Sequence, residues 1–255
     1  MRYAALTVLL ACLLCSVALV HAEEPQPGRQ VEQTFQSARV AQNTSDPALK
    51  LGYLLYLPEN YGKAKERSPL LLFLHGSGER GNDLSLVKVH GPPKLIAQGQ
   101  HLPFVVVSPQ CPEKQGWSAK TLLALLDDLE AKYSIDKDRV YVTGLSMGGS
   151  GTWSLISAEP DRFAAAVPVC GHSHPMAAHP AARVPSWVVV GDRDHVALVG
   201  NSRGMVSSLQ AMQADVKFTI YSGVGHDSWT QTYATPELYD WLLRHKASDR
   251  LATAQ

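Results

Sequence analysis

The chain has 255 residues, enough for one α/β domain with a full sheet, and no repeat, low-complexity tract or internal linker marks a second domain. Lys plus Arg and Asp plus Glu each total 23, so the formal charge is zero. No basic stripe suits nucleic acid or an anionic membrane surface, which excludes both classes of partner.

In chain order, Arg2 precedes an almost wholly apolar run at 6–20, followed by Val20-His21-Ala22 and then Glu23-Glu24-Pro25. Such a run is short for a membrane span and ends in a small-x-small cleavage pattern. Residues 1–22 are therefore expected to be a signal peptide cut near Ala22. The expected mature protein is secreted or periplasmic, with no stable membrane anchor. Cleavage would leave Cys111 and Cys170, each at the end of an apolar run. Two cysteines make no disulfide framework, and both suit small buried positions, although export would permit them to pair.

Residues 23–33 are polar and proline-containing, a flexible leader. Strands are expected at 34–40 and 49–57, the second stopped by Pro58. The continuous apolar runs 70–74 and 104–108 suit parallel strands covered on both faces. Between them a helix should start near Pro93. Leu122, Leu125, Leu126 and Leu129 form an i, i+3, i+4, i+7 stripe, so 119–133 should be an amphipathic helix. A strand at 139–143 runs into a helix at 147–158, with Pro160 just beyond. Strands at 163–169, 187–190 and 216–221 follow, with helices at 202–214 and 236–245, the last capped by Thr235. Strands alternating with helices imply an α/β fold, a mostly parallel twisted sheet with helices on both faces. The domain should run from 34 to 246, leaving 247–255 as a tail.

The chemistry centres on Gly144-Leu145-Ser146-Met147-Gly148, a G-x-S-x-G pattern in a strand-to-helix turn. Small flanking residues there let a strained backbone expose the serine oxygen at the sheet's carboxyl edge. The bland alternative is a glycine-rich turn with a bystander serine. A nucleophilic serine needs a base, an acid group to orient it, and donors for an oxyanion. Of ten histidines, His226 follows the last strand on the loop Ser222-Gly223-Val224-Gly225, although loop histidines are often only solvated. His195 suits the rim. His172-x-His174 with His179 lacks a carboxylate or cysteine at a usual ligand spacing, so no metal is expected. Asp192 and Asp194 both follow the 187–190 strand in the order Ser, Asp, His, and one of them could merely pair with Arg193. Oxyanion donors are expected from the loop Leu74-His75-Gly76-Ser77-Gly78. It could instead cradle phosphate, but no Lys completes the G-x-x-x-x-G-K-[ST] arrangement.

Together, Leu72-Phe73-Leu74-His75-Gly76-Ser77-Gly78-Glu79-Arg80-Gly81, Val107-Ser108-Pro109-Gln110-Cys111-Pro112, residues 141–153 and Gly225-His226-Asp227-Ser228-Trp229 resemble an α/β-hydrolase. They are similar in particular to secreted esterases and predicted peptidases akin to polyhydroxybutyrate depolymerases, feruloyl esterases and the prolyl oligopeptidase catalytic domain. The resemblance implies Ser146 as nucleophile, His226 as base, and the backbone amides of Ser77 and Met147 as oxyanion hole. Such relatives carry His-Gly-x-x-Asp after the penultimate strand, and here Val190 replaces the histidine. Counting from Gly191 lands on Asp194 as the acid, with Asp192 the alternative.

The expected function is hydrolysis of small-molecule or polymer-linked carboxylic esters through an acyl-enzyme, with no metal or organic cofactor. The alternatives are a serine peptidase of prolyl oligopeptidase type and a non-catalytic hydrolase-fold binding protein. Residues 172–185 are too few for a cap domain. An open cleft is expected, with Trp117 and Trp229 as aromatic walls and a preference for short-acyl or carbohydrate- or aromatic-linked esters.

Overall fold

The computed structural model describes residues 24–37, 50–63, 66–173 and 175–249. The expected signal peptide, residues 38–40 of the first expected strand and residues 250–255 of the tail lie outside the described residues. One eight-stranded sheet organises the rest. Its strands are β1 (Gln30–Gln36), β2 (Lys50–Tyr56), β3 (Ser68–Leu74), β4 (Val105–Pro109), β5 (Ile135–Leu145), β6 (Ala165–Val169), β7 (Ser186–Gly191) and β8 (Val216–Tyr221). Their spatial order is β1-β2-β4-β3-β5-β6-β7-β8. Both pairings of β2 are antiparallel, and from β4 to β8 every neighbouring pair is parallel.

Parallel strands need crossovers, which helices between the strands supply, and two more helices follow β8. The helices are α1 (Gly91–Ala97), α2 (Ala119–Lys132), α3 (Met147–Ala158), α4 (Ala178–Ala181), α5 (Val199–Ala211), α6 (Trp229–Ala234) and α7 (Pro236–Leu243). Alternate side chains of one strand feed two cores. Leu70, Leu72 and Leu74 of β3 pack with the leucine stripe of α2, with Trp153 and Ile156 of α3, and with Met205 and Leu209 of α5. Leu71 and Phe73 point the other way, to Ile96 of α1, Tyr233 of α6 and Leu242 of α7. Strands buried on both faces have no polar side to show, which is why β3, β4, β6 and β7 are continuous apolar runs. Each fully buried Leu or Phe contributes roughly 1.5–3 kcal/mol of hydrophobic stabilisation.

Several boundaries differ from expectation. β1 begins at Gln30 rather than at 34, and Gly28 N–H donates to Leu57 O at 2.8 Å, so part of the expected leader joins the sheet. β5 starts four residues early, at Ile135. Its polar opening is held by an Arg139–Asp136 ion pair of 2.7 Å and by the pairing of Ser68 with Ile135. α5 lies three residues upstream of its expected span, and α6 is an added element. In the expected tail, Ser248 hydrogen-bonds Asp138 at 2.6 Å through both its N–H and its hydroxyl. At the far edge every β8 residue is partly exposed, and Lys217 Nζ lies 3.4 Å from the Trp187 ring centroid.

The sheet's carboxyl edge is tightest where α3 begins. A Cβ on Gly148 would sit 1.9 Å from the Leu74 carbonyl oxygen, so only glycine lets this helix start against the end of β3. Gly204 of α5 has open space around it. We therefore expect Gly148→Ala to destabilise the fold by about 3 kcal/mol or more. Gly204→Ala should stabilise it by about 0.5–1 kcal/mol, because alanine restricts the unfolded chain. Urea unfolding of the two variants checks this, and equal effects would contradict the packing described.

Candidate active site

Between β5 and α3 the chain reverses through Ser146, at φ 52° and ψ −115°. A non-glycine residue held there stores about 1–3 kcal/mol of strain, which the surrounding structure must sustain. It does so through the Ser146 N–H, which donates to Val169 O of β6 at 3.0 Å. The Ser146 carbonyl accepts from Ser150 N–H, also at 3.0 Å. The turn leaves the side chain at the sheet's edge.

There Ser146 Oγ lies 2.9 Å from His226 Nε2, and His226 Nδ1 lies 2.8 Å from Asp194 Oδ2. These three residues are 80 and 32 positions apart, and β5, β7 and β8 bring them together. A carboxylate can only accept, so Nδ1 carries the ring proton and Nε2 is free to accept from the serine hydroxyl. The Asp194 side chain is fully buried. Its other oxygen accepts from the N–H groups of Val196 and Ala197, each at 2.8 Å, so the buried charge is fully solvated by protein donors. Asp192 does not face His226; its carboxylate accepts from Gly223 N–H at 2.7 Å and braces the β8 loop.

The loop after β3 lies against the serine. A Cβ on Gly76 would be 3.7 Å from Ser146 Cβ. Two hydrogen bonds fix the His75 ring: Nδ1 to Gly76 O at 2.6 Å and Nε2 to the Cys111 N–H at 2.9 Å. The amide can only donate, so Nε2 accepts and the ring is neutral. Burial also pushes the His75 pKa down to about 4, against the opposing effect of the Gly76 carbonyl. The N–H groups of Ser77 and Met147 make no hydrogen bond to any described residue, leaving two donors at the edge of the site.

The two tryptophans play different parts. Trp117 Nε1–H donates to His75 O at 3.1 Å and its ring packs on the His75 ring and Gly151, so it braces the loop from behind. Trp229 stands perpendicular to His226, with ring centroids 5.2 Å apart. Its indole N–H reaches His90 Nδ1 at 3.3 Å, and His90 Nε2 is 3.8 Å from Glu79 Oε1. Behind Trp229 lies a groove of about 240 Å³ lined by His90, Lys94, Leu95, Gln98 and Tyr233. His90 carried no sequence signal, since its contact with Trp229 crosses 139 positions, and Glu79 stood in the motif after β3 with no role assigned to it. Cys111 and Cys170 are free thiols. Cys170 lies under the site, and burial pushes its thiol up to about 12. Among the described residues, the group of His, Cys and carboxylate side chains close enough to share an ion is Cys170, Asp194 and His226. His172, His179 and His195 are exposed and outside it, and His174 lies outside the described residues.

A serine on a strained strand-to-helix turn, facing a histidine and carboxylate at the carboxyl edge of a mostly parallel sheet, marks the α/β-hydrolase fold. Residues 37–237 match the dienelactone hydrolase family, and the chain belongs to it. It is 30% identical over 153 residues to the bifunctional acetylxylan esterase/xylanase XynS20E of Neocallimastix patriciarum, covering 56% of this chain and 21% of that protein. The chain thus spans about a fifth of that relative's length. The crystal structure of a thermostable esterase superposes with a TM-score of 0.71 at 32% identity, over 85% of this chain and 63% of the other. The feruloyl esterase module from Clostridium thermocellum shares the fold at 20% identity, with a TM-score of 0.59 over 86% and 89% of the two chains.

The neutral His75 links folding to pH. Its folded pKa is about 4 against 6.5 free, so between these values the unfolded chain binds the extra proton. Stability from this group is complete above pH 6.5 and is lost as pH falls toward 4, by about 3 kcal/mol in all. Urea unfolding at pH 7 and pH 4 should show a drop about 3 kcal/mol larger in the wild type than in His75→Gln. Equal drops would mean that His75 is not the group responsible.

Proposed function

We propose that this protein is a secreted serine carboxylesterase acting on short-acyl esters, or on esters carried by a bulky carbohydrate or aromatic group. The observation that carries the reading is the chain of contacts from Ser146 Oγ through His226 to Asp194, at 2.9 and 2.8 Å. His226 takes the serine proton as Oγ attacks the ester carbonyl, and Asp194 stabilises the imidazolium that forms. The free N–H groups of Ser77 and Met147 receive the developing oxyanion, and losing one such donor typically costs about 10²–10³ in rate. His226 then protonates the leaving alcohol, and water repeats the sequence on the acyl-enzyme. The substrate class is supported by the 172–185 connection, whose described residues hold a 3₁₀ turn and the four-residue α4, and by the acetylxylan esterase named among the relatives. Secretion is supported by the apolar run and cleavage pattern at 6–22.

A fluorophosphonate should label Ser146 alone, and Ser146→Ala should abolish turnover of an aryl acetate while the protein stays folded. Label mapping to another serine would overturn the reading. Asp194→Asn should lower kcat by about 10⁴, because it reverses the histidine tautomer. Asp192→Asn should stay within a few-fold, since its carboxylate accepts from the Gly223 amide and not from His226.

Among p-nitrophenyl esters from acetate to palmitate, kcat/KM should be greatest at the short chains. A steady climb to palmitate would refute the open cleft. Matched esters and amides decide between esterase and peptidase, with amide turnover expected to be far slower.

A further inference from the structure

We propose that Cys170, Asp194 and His226 form an inhibitory site for a thiophilic divalent cation such as Zn²⁺ or Cd²⁺. The inference rests on the assignment of His226 as the base. The Cys170 sulfur, an Asp194 carboxylate oxygen and a His226 ring nitrogen all lie within 4.8 Å of one another. Cys170 and Asp194 are 1% and 3% exposed, so this is an interior cluster rather than a chance meeting of surface groups. Cys170 is fixed where β6 ends. Its N–H donates to Val189 O at 2.8 Å, and its backbone is held at φ 41°, a left-handed conformation that favours glycine. That strain directs a thiol, rather than a hydrogen atom, at the base–acid pair. The Ser146 amide and the buried Ser228 hydroxyl also face the sulfur.

The donor set is selective. Thiolate and imidazole prefer Zn²⁺ and Cd²⁺, whereas Mg²⁺, Ca²⁺ and Mn²⁺ want oxygen. Around tetrahedral Zn²⁺, sulfur at about 2.3 Å and nitrogen and oxygen at about 2.1 Å stand about 3.5 Å apart. To reach that spacing the sulfur need draw in by no more than about one ångström, while the 2.8 Å contact between Asp194 and His226 opens by about 0.7 Å, with water as the remaining ligand. The ion bonds to Cys170 Sγ, an Asp194 oxygen and His226 Nδ1. The thiol proton leaves to solvent. The proton on Nδ1 moves to Nε2, so the imidazole stays neutral. Nε2 then donates to Ser146 Oγ and can no longer accept its proton, and turnover stops. The ion is an inhibitor here, and the reaction itself needs none.

Aryl acetate hydrolysis by the wild-type enzyme should fall with added Zn²⁺ or Cd²⁺ and recover with EDTA, while Mg²⁺ and Ca²⁺ leave it unchanged. Cys170→Ala should keep its turnover and raise the half-inhibitory Zn²⁺ concentration by at least about tenfold. Cd²⁺ titration should produce a thiolate charge-transfer band in the ultraviolet for the wild type and none for Cys170→Ala. Cys170→Ser, which keeps the side chain's size, should also lack the band and serves if the alanine variant fails to fold. Inhibition equally strong without Cys170, no inhibition of the wild type, or no band in the wild type would each overturn the proposal. The band is read without turnover. An inactive protein that still shows it would therefore refute the esterase reading alone.

Discussion

The contact between the Leu74 carbonyl and the first turn of α3 is the constraint on which the rest of the site depends. Gly148 lies so close to that carbonyl that a single methyl would overlap it, and a Cβ on Gly144 would in turn meet Gly148 O at 2.4 Å. These contacts bring the helix down onto the ends of β3 and β5. The residue between strand and helix has almost no freedom left, and it takes up a backbone conformation that only tight surroundings can hold. Once Ser146 is fixed in this way, the loop after β3 is fixed as well, because Gly76 rests against the Ser146 side chain. One packing requirement therefore sets the serine oxygen and the neighbouring amides in a common frame.

Electrostatics complete what packing begins. Asp194 is a charge without water, and burying it would be costly if any lone pair went unused. The turn after β7 supplies two N–H groups to one oxygen and leaves the other for His226. The carboxylate is thereby oriented by the backbone rather than by flexible side chains. His75 shows the reverse solution: buried and neutral, it serves as a hydrogen-bonded spacer joining the ends of β3 and β4. Two interior polar groups, one an ionised carboxylate and one a neutral ring, are thus each matched by the donors and acceptors the backbone provides.

Where local chemistry and burial agreed, the sequence was readable. α3 and β8 span the residues their patterns indicate, because glycine turns and proline punctuation bound them. The start of β5 was hidden, since Asp136, Lys137 and Asp138 look like a loop until Ser68 is alongside to pair with Ile135. α6 was hidden too: six residues are too few for a periodic stripe, and its order comes from Tyr233 entering the core beneath Phe73. In the site, chain order narrowed the acid to two residues, and only the fold shows that Asp194 turns inward while Asp192 turns to Gly223. The line from Glu79 through His90 to Trp229 joins three separate segments, and no local pattern announces it.

The sheet order also has a consequence for the timing of synthesis. The serine leaves the ribosome on β5, the carboxylate after β7, and the histidine only after β8, which pairs at the outer edge of the sheet. On the proposed mechanism, the early chain can build its strained turn and the loop after β3 before β8 docks, yet it has nothing to accept the serine's proton. A nascent or truncated chain lacking that edge strand would thus be chemically silent, however much of its core had formed. The order of the strands itself delays assembly of the Ser146, His226 and Asp194 cluster until the domain is nearly complete.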